Sequence, residues 1–419
     1  GNLSSYPEIN TSFMDLSGYN HNADLFNGVS YNSGGWLDFD GADDWGNIPT
    51  GAEITPGNTN MLTVGGLWKR NGDGGSYETV LHHGNGTSIG ASQYWFGWTV
   101  DNIVCCTIGA GAGVGWAAGK TNIPADIGKW FYTIAAWDGS QVKVWVNGVL
   151  KVTYNLGSLN AAETVTRICA SGDASGYLAN AGVSYLHVNP NKSFSQSEIL
   201  QNYYQAPIVT DGLVFAVDAG NLVSYENGDT TTNSLVGSST GTLVNGVGFD
   251  SANGGTWDFD GVDDKITLPN DLGYSATSVS VFAWYKINGS PARGYHIICG
   301  DSQLEMSIHN SYTFLRNGLV TTNGRFVSNN GNLTLNDGNY HYYGFTFDGS
   351  TKTAYVDGVV VGTQSVTGTL TTSFSGRKLG AFGGGYYANG NMASYLVWNK
   401  VLTPSEVTQN YNAQSSRFQ

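Results

Sequence analysis

Charge is scarce in this sequence. Only 12% of its 419 residues are Asp, Glu, Lys or Arg, about half the roughly 25% of an average soluble protein. Basic residues are the scarcer kind, 18 against 32 acidic ones, and the net charge is −14. No Lys/Arg run is present, so the basic footprint of a nucleic-acid binder is missing. There are 9 Pro, too few for a Pro-rich stalk, and the 59 Gly keep no three-residue period, which excludes collagen. No stretch of about 18 apolar residues occurs, so neither a transmembrane helix nor membrane insertion is expected. No signal peptide is visible. Cysteine is limited to Cys105, Cys106, Cys169 and Cys299. The first two are neighbours on a strand-like stretch and should face opposite ways. That spacing suits neither zinc nor a disulfide framework, so the four read as buried thiols.

What is plentiful points to β-structure. Aromatics reach 13%, and they sit among Thr, Ser, Asn and Gly, the composition of short strands joined by tight turns. Lys143-Val144-Trp145-Val146 runs through Asn147-Gly148 into Val149-Leu150-Lys151-Val152. Thr353-Ala354-Tyr355-Val356 runs through Asp357-Gly358 into Val359-Val360-Val361 in the same way. Asn-Gly and Asp-Gly supply the positive φ angles of a type I′ turn, so both segments are expected to be hairpins.

These hairpins belong to an internal repeat. Gly1–Tyr6 matches Gly220–Tyr225, Leu25–Val29 matches Leu243–Val247, and Phe39–Asp44 matches Phe259–Asp264. Trp137–Ser140 matches Phe347–Ser350, and Glu198–Tyr203 matches Glu406–Tyr411. The order is kept while the offset drifts slowly, as loop insertions in the first copy would produce. Near the end of each copy a capping box, Ser195-x-x-Glu198 and Thr403-Pro404-x-Glu406, predicts one short helix. The second copy opens with the apolar run Gly212–Ala219, which has no counterpart before Gly1. The expectation is two domains, 1–206 lacking its opening strand and 211–419 with it. On that reading the chain is the C-terminal part of a longer polypeptide, or an outside strand completes the first sandwich.

The fold class expected is all-β: two tandem β-sandwiches, each with one short C-terminal helix. In the second copy, Gly212–Ala219, Phe259–Asp264, Val356–Val359, Tyr387–Gly390 and Thr403–Tyr411 occur in the order seen in laminin-G-like, concanavalin A-like jelly rolls, and the sequence resembles that family along nearly its whole length, twice. Its overall character is also similar to structural proteins of tailed bacteriophages, including those of cyanobacteria. The leading functional expectation is therefore a non-enzymatic virion structural protein, a fibre, spike or capsid-surface protein at the virion surface. Its partners would be other virion proteins or copies of itself, with host-surface polysaccharide as ligand. The alternative is a secreted, extracellular bacterial adhesin or carbohydrate-binding module, and a hydrolase fragment is the third reading.

Hydrolases related to this fold need paired carboxylates. The eight Glu here, Glu8, Glu53, Glu78, Glu163, Glu198, Glu226, Glu305 and Glu406, have no acidic residue two positions away, so catalysis is not expected. His82-His83 would be split by strand alternation. Glycan-binding candidates are Tyr94, Trp95 and Trp98, Trp116 in a Gly-rich loop, and Tyr386 and Tyr387 after a Gly run, because Trp and Tyr can stack on the apolar faces of sugars. No cofactor is expected unless calcium, for which Asp43, Asp44, Asp263 and Asp264 are the candidates. The competing role for these aspartates is to cap a turn by accepting nearby backbone amides.

Overall fold

In the computed structural model, residues 12–418 are described except 14, 16, 18–20, 33–35, 50, 52–60, 74–76, 86–89, 91, 110–113, 160–164, 205–207, 292, 302, 332 and 372–375. The Gly1–Tyr6 repeat block and the linker at 205–207 lie outside them. The chain divides into two compact units, Gly1–Tyr203 and Tyr204–Gln419. Each is a two-sheet antiparallel sandwich followed by a short helix, the tandem jelly-roll architecture expected.

In the first unit, one sheet runs in the order Val149–Asn155, Gln141–Val146, Trp130–Trp137, Leu62–Arg70, Asn180–Asn189, Trp36–Asp40 and Ser30–Asn32. The facing sheet places Thr166–Ile168, Glu78–His83, Tyr94–Trp98, Ile103–Ile108 and Lys120–Pro124 side by side. Between them lies a core that includes Val64, Trp68, Tyr94, Phe96, Trp98, Cys106 and Ile134's neighbours Ala135 and Trp137. Alternation along Tyr94–Trp98 sends Tyr94, Phe96 and Trp98 inward and leaves Trp95 on the opposite face. The second unit repeats the plan: Val279–Ile287 lies between Asn389–Trp398 and Tyr340–Phe347, facing a sheet that contains Lys378–Leu379, Tyr295–Gly300, Leu304–His309, Phe314–Thr321 and Gly324–Gly331.

The turn chemistry has the predicted form. Asn147 and Gly148 have φ of 50° and 76°, and Asp357 and Gly358 of 51° and 80°, the two positive values that a type I′ turn requires. Each helix then docks on its unit's hairpin. A Cβ on Gly148 would stand 2.9 Å from the Tyr203 ring, and one on Gly358 would stand 3.4 Å from Tyr411 Cβ. Both capping boxes form: the Ser195 and Thr403 amides donate to Glu198 and Glu406 at 2.9 and 2.7 Å, and the glutamate amides donate back at 3.4 and 3.3 Å.

All four cysteines are buried as free thiols. Cys106 lies in the sandwich core and Cys105 on the other face, as strand alternation requires. Burial raises the Cys105 and Cys299 thiols to about 12 and those of Cys106 and Cys169 well above their ordinary value. Among the described residues, no helix is long and apolar enough to cross a membrane.

Candidate functional site

The sequence-derived candidates separate sharply. Tyr94 and Trp98 are core residues with no exposed surface, so they cannot serve as a glycan platform. Strand alternation turns both rings, with Phe96, to the sandwich interior. Trp95 is on the outer face of the sheet but is also fully buried. It is roofed by Trp116, whose carbonyl accepts the Trp95 indole N–H at 3.1 Å and the Thr107 hydroxyl at 2.7 Å. Trp116 and Tyr387 are half-buried, and Tyr386 is 36% exposed. His82 and His83 are split as expected. His83 stacks on Tyr94, and burial lowers His82 to about 4.

The outer face of one sheet in the second unit gathers the residues most suited to recognition. Tyr295 and Tyr386 meet edge to face with centroids 6.4 Å apart. Tyr295 also contacts His309 at 5.0 Å, and His309 stacks on Phe314 at 4.8 Å. Beside these rings Glu305, 5% exposed, accepts Arg316 Nε at 2.9 Å on one oxygen and Arg325 Nη2 on the other. Ser307 Oγ donates to Glu305 at 3.1 Å. The Arg316 guanidinium lies 5.5 Å from the Tyr295 ring centre. Gly318 leaves a floor between these groups: a Cβ there would stand 3.4 Å from Arg325 Nη2 and 3.7 Å from Glu305 Cβ. Two guanidinium groups share one carboxylate, so the face carries local positive charge on an otherwise acidic chain. Gly383 and Gly385, with φ of 56° and 113°, form the turn that carries Tyr386 over this face.

The first unit has the same two rings and a different floor. Tyr77 and Tyr177 meet edge to face at 6.3 Å. The strand registers, with their matching bulges, place Trp95 where the second unit has Glu305, Cys105 where it has Arg316, and Thr107 where it has Gly318. That apolar floor is closed by the segment Trp116–Gly119, which presses so near that a Cβ on Gly119 would lie 1.7 Å from the Cys106 carbonyl oxygen. Only Tyr386 of the four tyrosines was singled out from sequence. Aligning the two copies would have found the rest, because Tyr77/Tyr295 and Tyr177/Tyr386 fall within the drifting repeat offset.

The acidic turns are alike in both units. One oxygen each of Asp40, Asp43 and Asp44 lie within 4.8 Å of one another, as do those of Asp260, Asp263 and Asp264. Two oxygens of each cluster cap its turn. Asp264 Oδ2 accepts the Asp260 amide at 3.0 Å, and Asp260 Oδ1 accepts the Val262 amide at 2.7 Å. Asp44 and Asp40 do the same at 3.0 and 2.8 Å. Asp44 Oδ1 and Asp264 Oδ1 are buried with no hydrogen bond among the described residues. These clusters could in principle hold a cation. Burial raises the Asp264 carboxyl to about 6. A carboxyl bound more tightly to its proton in the folded state loses stability as pH rises from about 4 to about 6. The second unit is therefore expected to lose up to roughly 3 kcal/mol across that interval through Asp264. Denaturant titrations at pH 4.5 and 7 on wild type and Asp264→Asn check this; an equal slope in the variant would exclude Asp264 as the titrating group.

Of the glutamates, Glu8, Glu53 and Glu163 lie outside the described residues. Glu78 is buried and accepts the Asn180 amide at 3.1 Å, and Glu198 and Glu406 cap helices.

Residues 259–408 match the family model described as the concanavalin A-like lectin/glucanases superfamily. No curated protein matches the chain. Among solved structures, the chain is similar to the binding domain of botulinum neurotoxin DC, solved with rat synaptotagmin II, at 14% identity and a TM-score of 0.38 over 49% of this chain and 52% of that one. It is also similar to the binding domain of Paraclostridial Mosquitocidal Protein 1, at 11% identity and 0.39 over 48% and 52%. A third likeness is to domain 4 of AbnA, a GH43 extracellular arabinanase from Geobacillus stearothermophilus solved with arabinotriose, at 18% identity and 0.38 over 48% and 98%. The chain spans about half the length of the two toxin binding domains. The family match lies inside the second unit, the first unit has the same strand plan, and the chain is a tandem pair of jelly-roll β-sandwiches.

Proposed function

We propose that this protein is a non-catalytic glycan-binding module of a secreted adhesin or carbohydrate-binding type, and that the second unit carries the binding face. The observation that supports this reading is the open face built from Tyr295 and Tyr386 beside Glu305, Arg316 and Arg325. Tyrosine rings offer apolar surface to the C–H faces of a sugar while their hydroxyls stay wet. Guanidinium groups recognise carboxylate or sulfate in a planar, two-point fashion. The ligand class is thus an acidic cell-surface polysaccharide. Glycoside hydrolysis needs a carboxyl free to pass a proton, and Glu305 is instead held by two guanidinium groups and a serine.

An adhesin or carbohydrate-binding module is preferred to a virion fibre or spike, because a recognition face supports the former directly and the virion expectation rests on sequence character alone. The location that goes with this proposal is extracellular. A glycan array that includes uronic, sialylated and sulfated sugars tests the proposal. Tyr295→Ala and Tyr386→Ala are each expected to weaken the best hit about tenfold, the loss of one well-packed ring contact, with the circular dichroism spectrum unchanged. Silence across the array, or affinity unaltered in both variants, would remove the proposal. Calcium bears on the same experiment: a melting temperature indifferent to chelator counts against a cation at Asp43, Asp44, Asp263 and Asp264.

A further inference from the structure

The first unit keeps the tyrosine pair and alters what surrounds it. Tyr77 and Tyr177 meet with centroids 6.3 Å apart and planes at 65°; Tyr295 and Tyr386 meet at 6.4 Å and 61°. The turn that delivers the second ring is different. In the second unit Gly383 and Gly385 take the positive φ angles ahead of Tyr386. In the first, Tyr177 itself has φ of 53°, with Cys169 and Ala174 at 56° and 59°. A left-handed φ is unfavourable for a residue as bulky as tyrosine and persists only where its surroundings hold it. Ser171 and Asp173 supply that hold: the Gly176 amide donates to Ser171 Oγ at 3.1 Å, and Ser171 Oγ donates to Asp173 at 2.6 Å. The Tyr177 carbonyl then accepts the Thr79 amide at 3.0 Å, which ties it to the strand Glu78–His83 that follows Tyr77. Two unlike turns arrive at one ring geometry.

A third ring is added in the first unit. In the second, Thr322 and Asn323 alone separate Phe314–Thr321 from Gly324–Gly331. The corresponding strands Ile103–Ile108 and Lys120–Pro124 are joined by a longer segment, and that segment carries Trp116. Its carbonyl is anchored by Trp95 and Thr107, and its ring meets Tyr77 edge to face at 4.6 Å. Tyr77, Trp116 and Tyr177 are each half-buried, so each keeps surface for a ligand. The charges differ as well. Arg316 and Arg325 share Glu305 in the second unit, a surplus of one positive charge. In the first, Trp95 and Cys105 take the Glu305 and Arg316 positions, and Lys120, opposite Cys105, is paired with Asp101. A carboxylate or sulfate would lose its hydration there with no unpaired cation to replace it. We propose, resting on the sugar-platform reading of Tyr295 and Tyr386, that Tyr77, Trp116 and Tyr177 form a second platform, for an uncharged saccharide. The three rings supply stacking surface for its C–H faces, and the neutral floor selects against acidic sugars. One chain then reads two classes of glycan.

Titration calorimetry on the full chain tests this with neutral gluco-, manno-, galacto- and xylo-oligosaccharides beside the acidic glycans. The best neutral ligand is expected to bind the double variant Tyr295→Ala with Tyr386→Ala as it binds wild type. It is expected to lose about tenfold in affinity in Trp116→Ala and in Tyr177→Gly, one ring contact each. Glycine accepts a left-handed φ without a side-chain penalty, so Tyr177→Gly separates the ring from the turn. Its melting temperature is expected to stay within about 3 °C of wild type. Loss of neutral binding in both first-unit variants, with the second-unit variant unaffected, supports the proposal. Neutral binding that survives both first-unit variants, or that is lost in the second-unit variant, overturns it. Acidic glycans bound with no neutral oligosaccharide bound also overturns it and leaves the reading of the second unit standing, whereas silence towards both classes removes both.

Discussion

Asp301→Ala is expected to lower the melting temperature of the second unit by roughly 6–20 °C. The carboxylate is almost wholly buried and so is Arg377, whose Nε donates to it at 2.8 Å. The other oxygen of Asp301 accepts the Gln303 and Leu304 amides at 2.6 and 2.7 Å, which fixes the turn after Tyr295–Gly300. The Arg377 guanidinium lies 4.5 Å from the Tyr274 ring centre, and its backbone carbonyl accepts the Leu268 amide at 3.0 Å. Removing the carboxylate leaves a cation in a dry site and two amides without their acceptor. Breaking a buried ion pair from one side costs about 3–5 kcal/mol, and each kcal/mol moves a unit of this size by about 2–4 °C. The penalty comes from the orphaned charge and not from the pair as such. The double variant Asp301→Leu with Arg377→Met is therefore expected to recover more than half of the loss. Calorimetry decides it: a single variant within 2 °C of wild type would show that the pair does not hold this turn.

Lys352→Met is expected to do the opposite and stabilise the second unit at neutral pH by a few kcal/mol. Lys352 is fully buried, and its Nζ donates to the Asn317 carbonyl at 2.8 Å. Burial lowers its pKa to about 7, with nearby Glu305 pulling the other way. In the unfolded chain the same amine stays protonated to about pH 10. Between these values unfolding takes up a proton, so wild-type stability rises as pH increases from 7 towards 10, by of the order of 3–5 kcal/mol. Below pH 7 the cost of the buried charge is present in full. Ionisation of tyrosines in the unfolded chain sets the upper limit, because burial holds groups such as Tyr343 and Tyr395 well above their ordinary value. Denaturant midpoints at pH 6.5, 8 and 9.5 check the sign. If the methionine variant keeps the wild-type slope, Lys352 is not the titrating group.

The local grammar of the fold was legible in advance. Asn147-Gly148, Asp357-Gly358 and the two capping boxes each encode their geometry within a few residues, and each forms as its chemistry requires. Of the Asp pairs, Asp44 and Asp264 cap their turns by accepting the amide four residues earlier. The recognition face was hidden because it is assembled across the sheet: Tyr295 and Tyr386 are neighbours only because the strand Tyr295–Gly300 comes to lie beside the Tyr386–Tyr387 ribbon. Glu305 gave no motif, since its partners Arg316 and Arg325 come from two further strands. The aromatic cluster Tyr94–Trp98 misled for a related reason. Alternation fixes which rings share a face, but not which face is interior, and not that Trp116 closes the other one.

The buried thiols have a consequence for chemistry outside the fold. Exchange with a disulfide and attack on an oxidant both require the thiolate. With Cys105 and Cys299 near 12 and Cys106 and Cys169 higher still, the folded chain holds almost none at neutral pH, and none of the four is accessible to a reagent. Its stability draws on neither a disulfide nor a reduced pool to prevent one. At its cysteines the folded protein is redox-silent: thiol–disulfide exchange at these four positions waits on unfolding.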